Sequence, residues 1–166
     1  MHVDLKPHPT TPAPQIEVSV ELERRGNRLW LRYFTDGDVD ALKWPAPAQG
    51  RVDGLWKHTC FEVFVRTAEG YREFNLSPSG QWASYRFNGY RDGMAKAAEA
   101  ADPALLDGGS DYVGLETVID LPPGAQALGL AAVIEALDGR ISYWALAHAS
   151  DKPDFHHPDS FVLEIP

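Results

Sequence analysis

Apolar and polar residues alternate with a period of two along much of this chain, most regularly from Ile16. Ile16, Val18, Val20 and Leu22 interleave with Glu17, Ser19, Glu21 and Glu23, the pattern of a strand with one buried and one wet face. Gly26-Asn27 marks a turn, and Leu29, Leu31 and Tyr33 continue the alternation as a hairpin partner. Residues 35–54 carry Gly37, Pro45, Pro47, Gly50 and Gly54, a loop composition. From 60 to 66, Phe61, Val63 and Val65 fall on one strand face and Cys60, Glu62 and Phe64 on the other. Turn residues at Glu69-Gly70 and Pro78-Ser79-Gly80 then delimit strands at 71–77 and 81–88, so that three strands form an antiparallel meander. Further strands are expected at 113–121, 128–137, 141–147 and 160–165, with Asp138-Gly139 as a hairpin turn. Only 94–106 competes as helix. Its alanines favour one, but Gly93, Pro103 and Gly108-Gly109 confine it to about three turns.

About nine strands at hairpin spacing, with at most one short helix, predict an all-β fold: an antiparallel β-sandwich of jelly-roll type. Residues 1–15, with Pro7, Pro9, Pro12 and Pro14, read as a Pro-rich N-terminal arm. Residues 16–166 read as one domain without internal repeats, as the length of 166 suits.

Composition narrows the partners. The net charge is −9, from 24 acidic and 15 basic residues, and no basic stripe is present, so nucleic acid and anionic membranes are excluded as expected partners. No apolar run approaches the roughly 20 residues of a membrane span. The first residues lack a basic stretch followed by an apolar one, so no secretory signal is read and a cytoplasmic address is expected. The single Cys60 excludes an internal disulfide framework. Aromatic residues make up 11%, which suits either a β core or a sugar-binding surface. Nothing here assigns an oligomeric state.

Two regions carry candidate chemistry. The loop 148–161 holds His148, His156 and His157 with Asp151, Asp154 and Asp159, Lys152 and Phe155, and is stiffened by Pro153 and Pro158. The other region is Trp56 with the strand that follows it. Glu62 points away from Phe61 and Val63, and Glu73, Asn75 and Ser77 share one face of the next strand. In simple register Glu62 neighbours Glu73 or Asn75 across the pair. A face bearing carboxylates and an amide beside an indole suits a polyhydroxylated ligand, although it would equally serve as the wet side of a sheet.

The run Leu-Trp-Lys-His-Thr-Cys-Phe-Glu-Val-Phe-Val at 55–65, the run Tyr-Arg-Glu-Phe-Asn-Leu-Ser-Pro at 71–78 and the closing Asp-Phe-His-His-Pro-Asp-Ser-Phe at 154–161 resemble the DOMON-like proteins, relatives of family 9 carbohydrate-binding modules. The resemblance spans roughly residues 16–166. It implies a sugar held in a slot between two aromatic residues, at the positions of Trp56 and Phe155. It also implies hydrogen bonds to sugar hydroxyls from Glu62, with Asn75 standing where those modules carry an arginine. Lys152, Asp154 and His156 would form the rim. The expected function is thus a non-catalytic binding domain for a small polar ligand, a sugar or sugar derivative, with no cofactor.

Alternatives centre on the histidine loop. His148, His156 and Asp159 are candidate metal ligands, but adjacent His156 and His157 point opposite ways in extended chain, and the spacing matches no compact metal signature. Some DOMON relatives bind haem through Met and His, which would enlist Met94. Hydrolysis would recruit Glu62 with Glu73 or Asp154, and a nucleophile reading would pair Cys60 with His58.

Overall fold

The computed structural model describes residues 1–106 and 108–165. Thirteen strands follow one another: β1 (His2–Pro7), β2 (Ile16–Arg25), β3 (Arg28–Gly37), β4 (Gly50–Arg51), β5 (Cys60–Thr67), β6 (Gly70–Leu76), β7 (Gln81–Phe87), β8 (Ala95–Lys96), β9 (Ala104–Leu106), β10 (Tyr112–Asp120), β11 (Ala127–Glu135), β12 (Ile141–Ala145) and β13 (Leu163–Glu164). The all-β class expected from the alternation holds. The strand count of about nine does not, because short strands were hidden in loop-like and Ala-rich sequence. The 94–106 stretch supplies β8 and β9, paired on β7 and β10, in place of a helix. The described residues contain only three short 3-10 turns, at Val39–Ala41, Leu55–Lys57 and Pro158–Ser160.

One hydrogen-bonded path runs β4-β7-β6-β5-β11-β12-β1-β2-β3-β10-β9, with β13 and β8 pairing on β11 and β7. Every pairing is antiparallel except β4 with β7. The segment read as a Pro-rich arm contributes β1, which joins the two halves of the sheet. Its early residues pair with β2 (Leu5 opposite Val18), and Lys6 and Pro7 pair with β12.

The sheet curls so that both halves bury one face in a shared core. Val18, Val20, Leu22, Leu29, Leu31 and Tyr33 come from one half; Phe61, Val63, Val65, Phe74, Leu76, Leu128 and Leu130 come from the other. These are the apolar positions of each alternation, and their removal from water drives the closure. The Tyr33 hydroxyl, fully buried, donates to the Glu62 backbone carbonyl at 2.9 Å and so ties β3 to β5 across the core. Burial pushes this phenol well above its ordinary range.

The second half has a further property that positions the site. Its opposite face is apolar as well: Phe64, Tyr71, Tyr85, Phe87, Ala127, Ala131, Val133 and Ala145 form a second buried cluster with Phe155 and Phe161 of the 148–161 loop. A sheet apolar on both faces must be covered on both, and the loop provides the second cover.

Candidate functional site

The floor of the site follows from register. Ala83 of β7, Asn75 of β6, Glu62 of β5, Ala131 of β11 and Ala145 of β12 lie opposite one another in a single row. Three alanines in that row leave a depression around the two polar residues. Glu73 lies in the next row, opposite Phe64 and Tyr85. Above this floor is a cavity of about 350 Å³, with Glu62 and Glu73 at its base and walls from Trp56, Phe87, Arg91, Met94, Val133, Tyr143, Pro153, Phe155 and His156.

Trp56 belongs to the 3-10 turn Leu55–Lys57, entered through Gly54 at φ +83°, where a side chain would be strained. Its ring is 38% exposed and stands edge-on to Tyr85 at 6.1 Å. Phe155 differs from it: the ring is 9% exposed and packs on Phe64 and Tyr143 at 6.4 and 6.0 Å. The two aromatics border one cavity, Trp56 as a free ring and Phe155 as an anchor in the apolar cluster.

A hydrogen-bonded chain orders the polar groups. The Arg91 backbone N–H donates to the Tyr71 hydroxyl at 3.2 Å, and that hydroxyl lies 2.7 Å from His156 Nδ1. This contact fixes the imidazole so that its other nitrogen, Nε2, lies 3.6 Å from Glu73 Oε2. Burial first, and the Arg91 charge second, push His156 down to about 4 against the pull of Asp154. Burial pushes Glu73 up to about 7, opposed by the Asn75 hydrogen bond and Arg91. Glu62 is driven well above the carboxylate range by burial and then by Glu73, with Arg91 opposing. Between about pH 4 and about pH 7, His156 and Glu73 therefore meet as a neutral imidazole and a protonated carboxyl, and their proximity is not an ion pair. The Asn75 amide donates to Glu73 Oε1 at 3.0 Å, while its Oδ1 is buried without a partner among the described residues. An orphaned acceptor of this kind costs free energy unless something donates to it.

Of the residues singled out from sequence, Trp56, Glu62, Phe155 and His156 meet at the cavity, whereas Asn75, opposite Glu62 on the next strand, is fully buried and outside the lining. Lys152 is exposed and outside the lining. Asp154 is outside it too and serves another purpose. Its carboxylate accepts from the Tyr90 hydroxyl, from Arg91 Nη2 at 2.8 Å and from the His156 N–H at 3.2 Å, clasping the 88–94 and 148–161 loops together.

Arg91 was not legible in the sequence. It has φ +52°, the one non-glycine residue with positive φ among those described, and this turn brings a guanidinium to the cavity where the expected arginine position holds Asn75. The flanking Gly89 and Gly93 signal a turn, but nothing in the sequence aims the side chain.

The metal candidates do not converge. His148 Nε2 bonds the Lys6 carbonyl at 2.7 Å, His156 faces the cavity, and Asp159 lies 3.9 Å from His157 Nδ1. Among the described residues no group of three or more His, Cys, Asp or Glu could hold a metal ion. Met94 and His156 border the same cavity, but the ring nitrogens of His156 face Tyr71 and Glu73, so the arrangement does not fit haem ligation. The Cys60–His58 pair is corrected: Cys60 is fully buried with its thiol pushed well up by burial, while His58 bonds Glu135.

Comparison of the sequence with protein-family models returned no match, and neither did comparison with curated proteins. Solved structures do resemble the fold. A candidate carbohydrate-binding protein from Bacteroides uniformis aligns with TM-score 0.63 at 16% identity, over 96% of this chain and 84% of that one. A family 9 carbohydrate-binding module from Caldicellulosiruptor kristjanssonii, in complex with cellotriose, aligns with TM-score 0.55 at 12% identity, over 98% of this chain and 80% of that one.

Proposed function

We propose that this chain is a non-catalytic binding domain for a small polyhydroxylated ligand, a sugar or sugar derivative, seated between Trp56 and the loop carrying Phe155. The observation that carries the reading is the make-up of the cavity. An exposed indole and apolar walls stand over a base where Glu62 and Glu73 offer hydrogen bonds. Its volume of about 350 Å³ sits near the lower end of small-molecule sites, roughly 300–1,000 Å³. A sugar ring matches both parts: its C–H face covers an aromatic ring, and its hydroxyls donate to and accept from carboxyl and amide groups. The shared fold with a cellotriose-bound module supports the same direction.

Glu62 and Glu73 are also the carboxyls that a hydrolysis reading would recruit, so the same experiment includes a check for released reducing ends, which binding alone does not produce. The test is isothermal titration with a panel of mono- and oligosaccharides. Measurable binding should weaken about tenfold or more in Trp56→Ala, in line with the worth of a buried aromatic contact. Absence of binding by every saccharide at millimolar concentration would sink the proposal.

A further inference from the structure

On the far side of the Trp56 turn lies a second cavity of about 370 Å³, whose polar lining comes from Lys43, Asp53, His58, Ser77, Gln81 and Glu135. The turn is a partition: Trp56 borders the first cavity, while Gly54, Leu55 and His58 border the second. Four neighbouring strands order the two cavities in the same direction. Along β6 and the residue that follows it, Glu73 in the first cavity is followed by Asn75 and then by Ser77 in the second. Along β11, Val133 is followed by Glu135. The antiparallel neighbours run in reverse, from Glu62 back to His58 through β5 and from Phe87 back to Gln81 along β7. At about 3.4 Å per residue, the two linings stand roughly 7 Å apart on β11 and 14 Å apart on β6, on one face of one sheet.

The second cavity is built, not incidental. Glu135, with a side chain only 10% exposed, accepts from Lys43 Nζ at 3.1 Å through Oε1 and lies 2.7 Å from His58 Nδ1 through Oε2. Its backbone is clamped from both sides. Lys43 N–H donates to the Glu135 carbonyl at 2.8 Å, and Glu135 N–H donates to Thr59 Oγ1 at 3.1 Å, whose hydroxyl donates to the Lys43 carbonyl at 3.0 Å. These contacts fix three distant segments, and they leave the other two Lys43 N–H groups, His58 Nε2 and the Gln81 amide nitrogen without a partner among the described residues. Lys43 is matched in charge by Glu135, and Asp53 by Lys96 at 3.7 Å, so the cavity favours a neutral group that both donates and accepts over an ion.

We propose that the binding site is bipartite, and that the Lys43–Glu135–His58 cluster is a second subsite taking the next ring of an oligosaccharide whose first ring occupies the Trp56 cavity. This inference rests on the sugar-binding reading above. Asp53 and Tyr85 form the ridge between the subsites: the Tyr85 hydroxyl donates to Asp53 Oδ1 at 2.6 Å, and its ring backs Trp56.

The test is calorimetric titration of the full chain with the mono-, di- and trisaccharides of the cellulose, mannan and xylan series. Within the series that binds, the trisaccharide should bind about tenfold tighter than the monosaccharide, the worth of one or two hydrogen bonds to charged groups. His58→Ala and Lys43→Ala should each cut that ratio several-fold. His58 is 65% exposed, so its replacement leaves the core intact, which thermal unfolding verifies. Monosaccharide binding with no gain on lengthening, or a gain that survives both substitutions, overturns the second subsite alone. Failure of every saccharide at every length overturns the first reading and this one together.

Discussion

Substituting Glu73 and His156 separately should tilt the pH dependence of stability in opposite directions, because folding moves a proton between them. In the unfolded chain Glu73 releases its proton near 4.5 and His156 near 6.5. Between those values an unfolded molecule therefore carries the proton on the imidazole. In the folded molecule the order is reversed, with Glu73 raised to about 7 and His156 lowered to about 4, so the carboxyl carries it.

The sign follows from proton counts. Stability rises with pH where the unfolded state binds more protons and falls where the folded state does, by about 1.4 kcal/mol per pH unit for each proton. His156 thus adds a rising slope between about 4 and 6.5. Glu73 adds a falling one from 4.5 to about 7, and the two offset each other in the native chain. Glu62, raised in the same direction as Glu73, leaves a net fall. Glu73→Gln unmasks the His156 contribution and shifts the slope upward by one proton. His156→Gln unmasks Glu73 and shifts it downward by one. From about pH 5 to pH 6.5, each variant should depart from the native chain by about 2 kcal/mol. The His156 shift comes from burial and Arg91, so it survives the loss of Glu73.

Urea unfolding at several pH values reads these slopes directly, and only differences between proteins are used, so other titrating groups cancel. Parallel profiles for all three proteins would refute the linkage. Nitrogen NMR of the imidazole at about pH 5.5 locates the proton. A neutral ring with one unprotonated nitrogen is expected, and a doubly protonated ring would refute the placement even if the slopes agreed.

Asp154→Asn removes the charge that clasps Arg91 and Tyr90 to the second loop. Hydrogen exchange at 88–94 should accelerate several-fold with little change in the core strands, and unchanged protection would refute the clasp. Gly70→Ala should destabilise the chain by about 2 kcal/mol or more. Gly70 has φ +128°, and an added Cβ would lie 2.0 Å from the Phe87 carbonyl oxygen. The Tm should fall by about 6 °C; a variant melting with the native protein would contradict the close packing of β6 against the end of β7.

What could be read in advance divides along a physical line. The hairpin of β2 and β3 was legible because each strand is buried on one side only, so polarity reports the side. The facing of Glu62 and Asn75 followed from the same period of two, once the meander was recognised. β11 resists that reading: all nine of its residues are buried, so alternation vanishes and Val133 and Glu135 give no sign of facing two cavities. β8 and β9 failed for another reason. Alanine-rich sequence favours helix locally, but pairing with β7 and β10 supplies hydrogen bonds that outweigh a preference of a few tenths of a kcal/mol per residue. The site divides likewise. Trp56 and Glu62 stand six residues apart around a single strand entry, so their spacing alone brings them together. Arg91 reaches the cavity only because its backbone is left-handed and Asp154, 63 residues later, holds its guanidinium. His58 meets Glu135 across 77 residues through a register that no local pattern announces. Side chains delivered by a strand's own period are readable; those delivered by contacts between distant segments are not, and in this molecule the second kind supplies the Arg91 charge and the Lys43–Glu135–His58 cluster of the second cavity.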